Sequence, residues 1–333
     1  MQRIFLPYLQ DPLTGEALDV EIFDADGENI LEGALHSTTN SYPIIRGVPR
    51  FVRAERRENY TKSFGYQWLR WPKVQFESEN VGRSMEGHTS QMFQKITGLN
   101  YFELSNIICV DFGCGSGRFM ELVSKGGGLV IGLDSSNAVE SAGEIFKYDS
   151  NVLVCQADIL CSPIKSNIAD FSYSIGVLHH TPSFDQGVKE ISRIVKPNGT
   201  VAVSVYGPGG YYDDFVVGLY RKFFKLTRPL LGFLLPLVYS YVVVICTRPL
   251  IKFPRLSKAL KPLLGYFPHA QLPDIRWSFL DTFDSLTPEY QQGLSFYQIH
   301  QALQSAFIGD ITPSNWKGTA LSGRKMRNEP NNL

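Results

Sequence analysis

The sequence predicts an α/β protein: a doubly wound, Rossmann-like parallel sheet, preceded by a small β-rich module and interrupted late by a helical insertion. Three observations predict it. Short apolar runs end in acids at Asp111, Asp134 and Asp158 and alternate with helical patterns, the rhythm of parallel β-α-β units. Three glycines at every second position, Gly113, Gly115 and Gly117, follow the first run. Residues 207–290 then abandon the rhythm altogether.

Residues 1–53 carry turn signals at Asp11-Pro12, Thr14-Gly15, Asp26-Gly27 and Arg46-Gly47 between short apolar stretches, the pattern of a small β module. The charged stretch Ala54 to Glu58 reads as a hinge. Tyr66, Gln67 and Trp68 follow on a helical stretch that suits either a cap over a ligand pocket or inter-domain packing. His88 to Ile96 reads as a helix leading into the first strand of the sheet.

Ile107 to Val110 form an apolar run, hence a buried parallel strand that Asp111 ends. The glycines let the backbone turn with positive φ and let a ligand approach without a Cβ in the way. From Arg118 a helix begins, whose free N–H groups point back at the loop. A dinucleotide fingerprint needs a third glycine where Arg118 or Met120 stands, so that reading fails. A carboxylate two residues before the first glycine suits a ligand with a cationic amine. Asp134, closing the second strand Leu129 to Asp134, is placed to accept ribose hydroxyls. Asp158, after the third strand, can take an exocyclic adenine amine, with Ile159 on the ring. Amine, ribose and adenine together describe S-adenosylmethionine. Ser135 or Ser136, and Ser183, are candidate helix caps, and Thr200 to Val205 is the fifth strand.

These residues, with Phe171 to Pro182 and Ile194 to Val201, resemble the class I S-adenosylmethionine-dependent methyltransferases over roughly residues 60–325. The resemblance implies a seven-stranded sheet, methyl transfer, and cofactor contacts from Asp111, Gly113, Cys114, Gly115, Gly117, Asp134, Ser135, Asp158, Ile159, Gly176 and Val177. The candidate catalytic residues are His180, His179 and Tyr206, at the carboxyl edge where α/β ligands bind. A histidine there can act as base for a hydroxyl, since imidazole titrates near neutrality, or can simply shape the loop beside the methyl group. Leu9 to Leu18 and Ser41 to Phe51 resemble a zinc-ribbon-like module, known as a separate activator of tRNA and protein methyltransferases and fused to bacterial ones. The metal-binding members carry two cysteine pairs, whereas the first 108 residues here contain no cysteine and the ligand places hold Asp11, Thr14 and the polar run Ser37 to Asn40. No zinc, and no other metal, is expected. The module suits a docking role or a packing extension.

From Phe215 to Pro273 there is no Asp or Glu and there are nine Lys or Arg, while Pro229 to Thr247 are 19 uncharged residues. Length alone would allow a membrane span. However, Ser295 to Leu303 and Thr319 to Lys325 read as the last helix and strand of the sheet, and a span would part them from it. A lid over the acceptor pocket and a monotopic patch on an anionic membrane both stay open. Asp281 to Tyr290 and Tyr297-x-x-His300 resemble the segment that re-enters the core in the fused bacterial enzymes, a resemblance that implies Tyr290 and His300 on the acceptor side, and the tail from Arg327 reads as disordered.

Chain length and 44% hydrophobic residues allow a large core with smaller additions. The organisation expected is a module over 1–53, a core over 54–206 and 291–326, and an insertion over 207–290. Zero net charge advertises no nucleic-acid partner. Five scattered cysteines without a C-x-x-C pair fit reduced thiols, and no signal peptide is readable before Pro7. The expected location is cytoplasmic, with peripheral contact at the inner face of the membrane as the extension. The function expected is transfer to a small-molecule or lipid-linked acceptor, by O- or C-methylation of a sugar, quinone or other metabolite. Transfer to tRNA or protein, and a non-catalytic S-adenosylmethionine-binding module, are the alternatives. The Asn-Pro-Pro-Tyr-type motif of amino-group methylation is absent where Ser174-Ile-Gly-Val stands.

Overall fold

The computed structural model describes residues 1–52, 61–209, 215–253, 255–256, 259, 272–314, 316 and 319–327. The expected hinge at Ala54 to Glu58 and residues 328–333 of the tail lie outside them.

After a short 3-10 turn at Arg3–Tyr8, β1 (Asp19–Asp26), β2 (Asn29–His36), β3 (Ser41–Ile45) and β4 (Val48–Pro49) form one antiparallel sheet in chain order. The remaining elements build the main body. They are α1 (Lys62–Arg70), α2 (Glu77–Asn80), α3 (His88–Thr97), β5 (Ile108–Phe112), α4 (Arg118–Lys125), β6 (Leu129–Asp134) and α5 (Ala138–Ile145). Then come β7 (Val152–Gln156), β8 (Ala169–Ile175), α6 (Phe184–Ile194), β9 (Val195–Val205), α7 (Phe215–Leu231) and α8 (Leu234–Thr247). Last are α9 (Ile275–Leu286), α10 (Phe296–Ser305), β10 (Ile308–Pro313) and β11 (Thr319–Lys325).

The large sheet has the order β10-β11-β9-β8-β5-β6-β7. The five strands β5 to β9 run parallel; β11 pairs antiparallel with β9, and β10 with β11. Order therefore reverses between β5 and β8, and the crevice outside their carboxyl ends is where such sheets bind ligands. Their apolar runs are buried on both faces, with Val110, Ile131 and Val203 at 0% exposure. This is the doubly wound seven-stranded architecture expected.

Several boundaries differ from the sequence reading. β5 runs through Asp111 and Phe112, because their backbones keep pairing with Gly132 and Leu133; Asp111 is inside the strand rather than at its end. β9 starts at Val195, earlier than Thr200, because Val195 already pairs with Ala169 of β8. α5 begins after Asn137, and Ser136 Oγ accepts from Ala138 N (3.1 Å) rather than capping as an N-cap residue. Ser183 does cap α6, accepting from Gln186 N.

The apolar run Pro229 to Thr247 does not make one long helix. Gly232, at φ +55°, separates α7 from α8, and Pro236 sits in the first turn of α8, where its missing N–H is tolerated. Among the described residues no helix is long and apolar enough to cross a membrane.

The small sheet is fused to the large one through a shared core. Phe5, Leu9, Leu35 and Ile44 belong to the same buried cluster as Val110, Ile131 and Leu153. Phe51 N donates to Gln156 O (2.8 Å) and Gln10 N to Pro163 O (2.8 Å). The buried guanidinium of Arg50 donates to Glu140 (2.9 Å) and Gln156 (3.3 Å) across the joint. Inside the module Asp11, fully buried, ties two loops together. Its Oδ1 accepts from Leu13 N (2.8 Å) and Tyr42 Oη (3.0 Å), and its Oδ2 from Ser37 Oγ (2.5 Å) and Asn40 Nδ2 (2.9 Å). Burial raises its pKa, yet these hydrogen bonds outweigh it and hold the carboxyl near 2.

Candidate functional site

The glycine loop leaves β5 with Gly113 at φ +87° and Gly115 at φ +56°, conformations that side chains resist. Gly113 N and Cys114 N both donate to Leu133 O, and Gly115 N donates to Asp134 Oδ2 (3.0 Å), so the loop is strapped across the end of β6. Space is as restrictive as φ: a Cβ on Gly115 would lie 2.7 Å from Trp68 Nε1, and one on Gly113 2.3 Å from Val177 Cγ1.

Beside this loop opens a cavity of about 300 Å³ at the carboxyl edge of the sheet. Of the residues singled out in the sequence, Gly113, Cys114, Gly115, Asp134 and Ser135 line it from one side. Ile159, Gly176, Val177, His180 and Tyr206 line it from the other.

Asp111, Gly117, Asp158 and His179 are not in its wall. Asp111 is buried inside β5, in register with Tyr173 of β8 and just before the loop. Burial raises its pKa to about 8, and the Tyr173 hydroxyl and Arg118 only partly offset this. Asp111 Oδ2 and the Tyr173 hydroxyl nevertheless make no hydrogen bond of good geometry. Gly117 is covered by Phe146. Asp158 Oδ1 accepts from Leu160 N (2.9 Å), closing a turn that leaves Ile159 facing the cavity in its place. His179 stacks behind, between His180 and Tyr206, with ring centroids at 3.9 and 4.1 Å.

Phe64, Gln67 and Trp68 of α1, spaced i, i+3, i+4, face the cavity. Tyr66 lies on another side of that helix and stacks on Phe233 and Phe283. The sequence reading of a capping helix thus meets the cavity through Gln67 and Trp68 but not Tyr66.

Much of the remaining wall was not singled out. Trp277, Leu280, Asp281 and Asp284 of α9 enter from the insertion at i, i+3, i+4 and i+7, a one-face spacing readable in the sequence. Tyr206 Oη donates to Asp284 Oδ2 (3.4 Å) and Gln75 Nε2 to Asp281 Oδ1 (3.4 Å). In the sequence Arg118 shows only the failed third glycine and the start of a helix. Its guanidinium donates to Gln75 Oε1 (2.6 Å), lies over the Phe119 ring, and feels the Asp281 carboxylate without an ion-pair contact within 4 Å among the described residues. Trp316, from the β10–β11 connection, completes the aromatic wall.

Tyr290 and His300 do not line the cavity. Tyr290 supplies its backbone carbonyl, which accepts from His180 Nδ1 (2.8 Å), and is itself partly exposed. His300 sits on α10, whose buried face is Ile299 and Leu303. A carbonyl can only accept, so Nδ1 of His180 carries the proton and Nε2 presents a lone pair. That Nε2 is buried and makes no hydrogen bond. Burial lowers the His180 pKa to about 4, the Tyr290 carbonyl opposing and Arg221 assisting, so the ring does not titrate near neutrality as its type alone suggests. Phe64 packs against it at 5.1 Å.

The residues present fit S-adenosylmethionine: a loop that needs glycine at 113 and 115, a carboxylate at the end of β6, a guanidinium with no carboxylate in ion-pair contact, and a buried carboxyl oxygen of Asp111 that makes no hydrogen bond. Known proteins point the same way. A family profile described as a methyltransferase domain matches residues 110–203. The chain is 30% identical over 170 residues to the demethylmenaquinone methyltransferase of Staphylococcus carnosus, covering 43% of this chain and 69% of that protein. It is 28% identical over 133 residues to a sterol 4-C-methyltransferase of Caenorhabditis elegans, 38% of each chain. It is 33% identical over 109 residues to a malonyl-[acyl-carrier protein] O-methyltransferase of Buchnera aphidicola, 32% of this chain and 43% of that one. The chain thus spans about two fifths of the length of these last two relatives. With this fold, this loop and these relatives, the chain belongs to the class I S-adenosylmethionine-dependent methyltransferases and uses S-adenosylmethionine as its cofactor.

Proposed function

We propose that the enzyme methylates a hydroxyl or an acidic carbon of a small, largely apolar acceptor, with His180 as the base. The observation that carries this reading is His180 Nε2, a buried lone pair at the cavity wall whose tautomer is set by the Tyr290 carbonyl. When bound, the cofactor supplies a methyl group whose leaving group is a neutral thioether, so the protein needs no acid. Asp134 would hold the ribose hydroxyls and Ile159 the adenine. Arg118 would answer the methionyl carboxylate, and the buried carboxyl of Asp111 the methionyl ammonium. Trp68, Trp277 and Trp316 exclude water and hold the acceptor in line, which is where most of the acceleration of such a transfer arises. The relatives named for a sterol, for demethylmenaquinone and for malonyl-[acyl-carrier protein] support a lipid-like or carrier-bound acceptor. Residues 1–53 belong to this reading as a metal-free zinc-ribbon-like module, with the Asp11 carboxylate joining the loops that thiolates and metal would otherwise join.

The test uses methyl-tritiated S-adenosylmethionine with the purified enzyme and host lysate. Label is expected in the organic extract. His180→Asn should then lower turnover by roughly 10²- to 10⁴-fold while cofactor affinity stays within a few fold. Label confined to precipitated RNA or protein, or an unchanged rate in His180→Asn, overturns the proposal.

A further inference from the structure

The helices α7 and α8 show an apolar face on the side away from the protein. On α7 it runs through Phe215, Leu219, Phe223, Leu226 and Leu230, spaced 4, 4, 3 and 4 residues apart. On α8 it continues through Leu234, Val238, Val242 and Ile245, spaced 4, 4 and 3. Both spacings place one stripe along one side of a helix. Leu226 is 79% exposed and Leu230 88%. The opposite sides are already in use: Val217 and Phe224 pack with Leu286, and Phe233, Leu237 and Tyr241 with Trp71, Leu280 and Phe283. A helix lying against a protein with water on its outer side would be polar there. A continuous apolar face of this kind marks an interaction site.

Charge decides what covers it. Arg221 and Arg228 donate inward to Ser285 O and Thr287 O, and Lys225 pairs with Glu289, which fastens α7 to the body. Lys222, Lys252 and Arg255 stand exposed beside Phe223, Phe253 and Leu256. The whole stretch 215–273 holds no acid. Two copies of such a face would bring cations together with no carboxylate to answer them. An anionic bilayer answers both features, taking the apolar stripe among acyl chains and the cations at headgroups. Neither helix crosses: α7 has 17 residues with four basic ones, and α8 has 14 residues.

We infer that α7 and α8 form a monotopic hairpin that lies in the plane of an anionic membrane surface. The hairpin rests on α1 and α9, the two helices that supply Trp68, Trp277 and Leu280 to the cavity wall, so the bilayer lies beside that wall. Delivery of an acceptor from the bilayer is a consequence that, unlike the docking, rests on the proposed function.

The experiment is sedimentation of the full-length protein with vesicles of phosphatidylcholine containing phosphatidylglycerol, and of phosphatidylcholine alone, with S-adenosylmethionine binding as the control for folding. Binding to the anionic vesicles, weakened by salt, is expected. Leu226→Glu with Leu230→Glu should weaken it roughly tenfold or more at unchanged cofactor affinity, since both side chains are exposed and carry no core packing. Lys222→Glu should weaken it less. Absence of binding to either vesicle overturns the inference. So does a concentration-dependent dimer, broken by the same double substitution, that leaves vesicles unbound, because the face is then covered by a second copy.

Discussion

Two buried aspartates mark the difference between the small sheet and the large one. Asp11 uses both oxygens, taking hydrogen bonds from Leu13, Ser37, Asn40 and Tyr42, and is held near pKa 2. Asp111 leaves Oδ2 without a hydrogen bond and is pushed to about 8. Both side chains are closed to solvent, but Asp111 lies far deeper and pays the larger desolvation cost, and its hydrogen bonds do not offset it. Where a carboxylate is fully hydrogen-bonded, the fold alone explains it. Where one is left open just before a glycine loop, an unmet polar group is a standing cost that a cationic ligand relieves.

The largest effect should come from removing the satisfied one. Asp11→Ala removes the acceptor shared by Leu13 N, Ser37 Oγ, Asn40 Nδ2 and Tyr42 Oη and should destabilise the protein by about 3 kcal/mol in chemical unfolding. Cofactor affinity of the folded fraction should not change. If affinity fell with stability intact, the module would be part of the site, and the contrast with Asp111 would fail.

Asp111→Asn should behave in the opposite way. At neutral pH the wild-type carboxyl is mostly protonated, so a neutral amide should alter unliganded stability by only about 1 kcal/mol or less. S-adenosylmethionine affinity should fall roughly ten- to hundredfold, read by calorimetry. The pH dependences also oppose each other. The depressed pKa of Asp11 gives stability that is present above the unfolded carboxylate value near 3.9 and lost as pH falls toward 2. The raised pKa of Asp111 gives a contribution present in acid and lost as pH rises toward 8.

The same logic predicts a linked proton. An ammonium arriving beside Asp111 should ionise it, so cofactor binding at pH 7 should release on the order of one proton, detected as a buffer-dependent heat. Release should vanish in Asp111→Asn. Equal release in both proteins would move the titration to another group.

The contrast also shows what the residues alone could reveal. β5, its glycines and Asp134 were legible because strand period, turn chemistry and a terminal acid are local features. Asp11 and the polar run Ser37 to Asn40 were visible at the ligand places, but that their side chains join by hydrogen bonds, with Tyr42 of β3 as a further partner, is a tertiary fact that no local pattern announces. The α9 wall was missed for a different reason. Trp277, Leu280, Asp281 and Asp284 carry a helical spacing, but they sit in an insertion that the minimal fold does not place. His180 was named, yet its chemistry depends on the Tyr290 carbonyl, 110 residues away. Asp158 and His179 were assigned by their position after a strand, and a single residue of turn geometry gave the cavity to Ile159 and His180.

His180 falls between the two aspartates, with one nitrogen satisfied and the other open, and it gives the smallest but sharpest test. A base must be unprotonated to act. Burial holds this imidazole at about 4, so above about pH 5 the lone pair on Nε2 is always available. With S-adenosylmethionine saturating, so that Asp111 is already ionised, the profile of kcat/KM for the acceptor against pH should therefore show no acid-side inflection near 6.5, the ordinary histidine value, and should decline only as pH approaches 4. Opening the packing with Phe64→Ala admits water to the ring, lessens the cost of charging it, and should move that inflection upward by about one unit. An inflection near 6.5 in the wild type would mean that the cavity is wet around His180, and that its open nitrogen is answered by solvent rather than reserved for the acceptor.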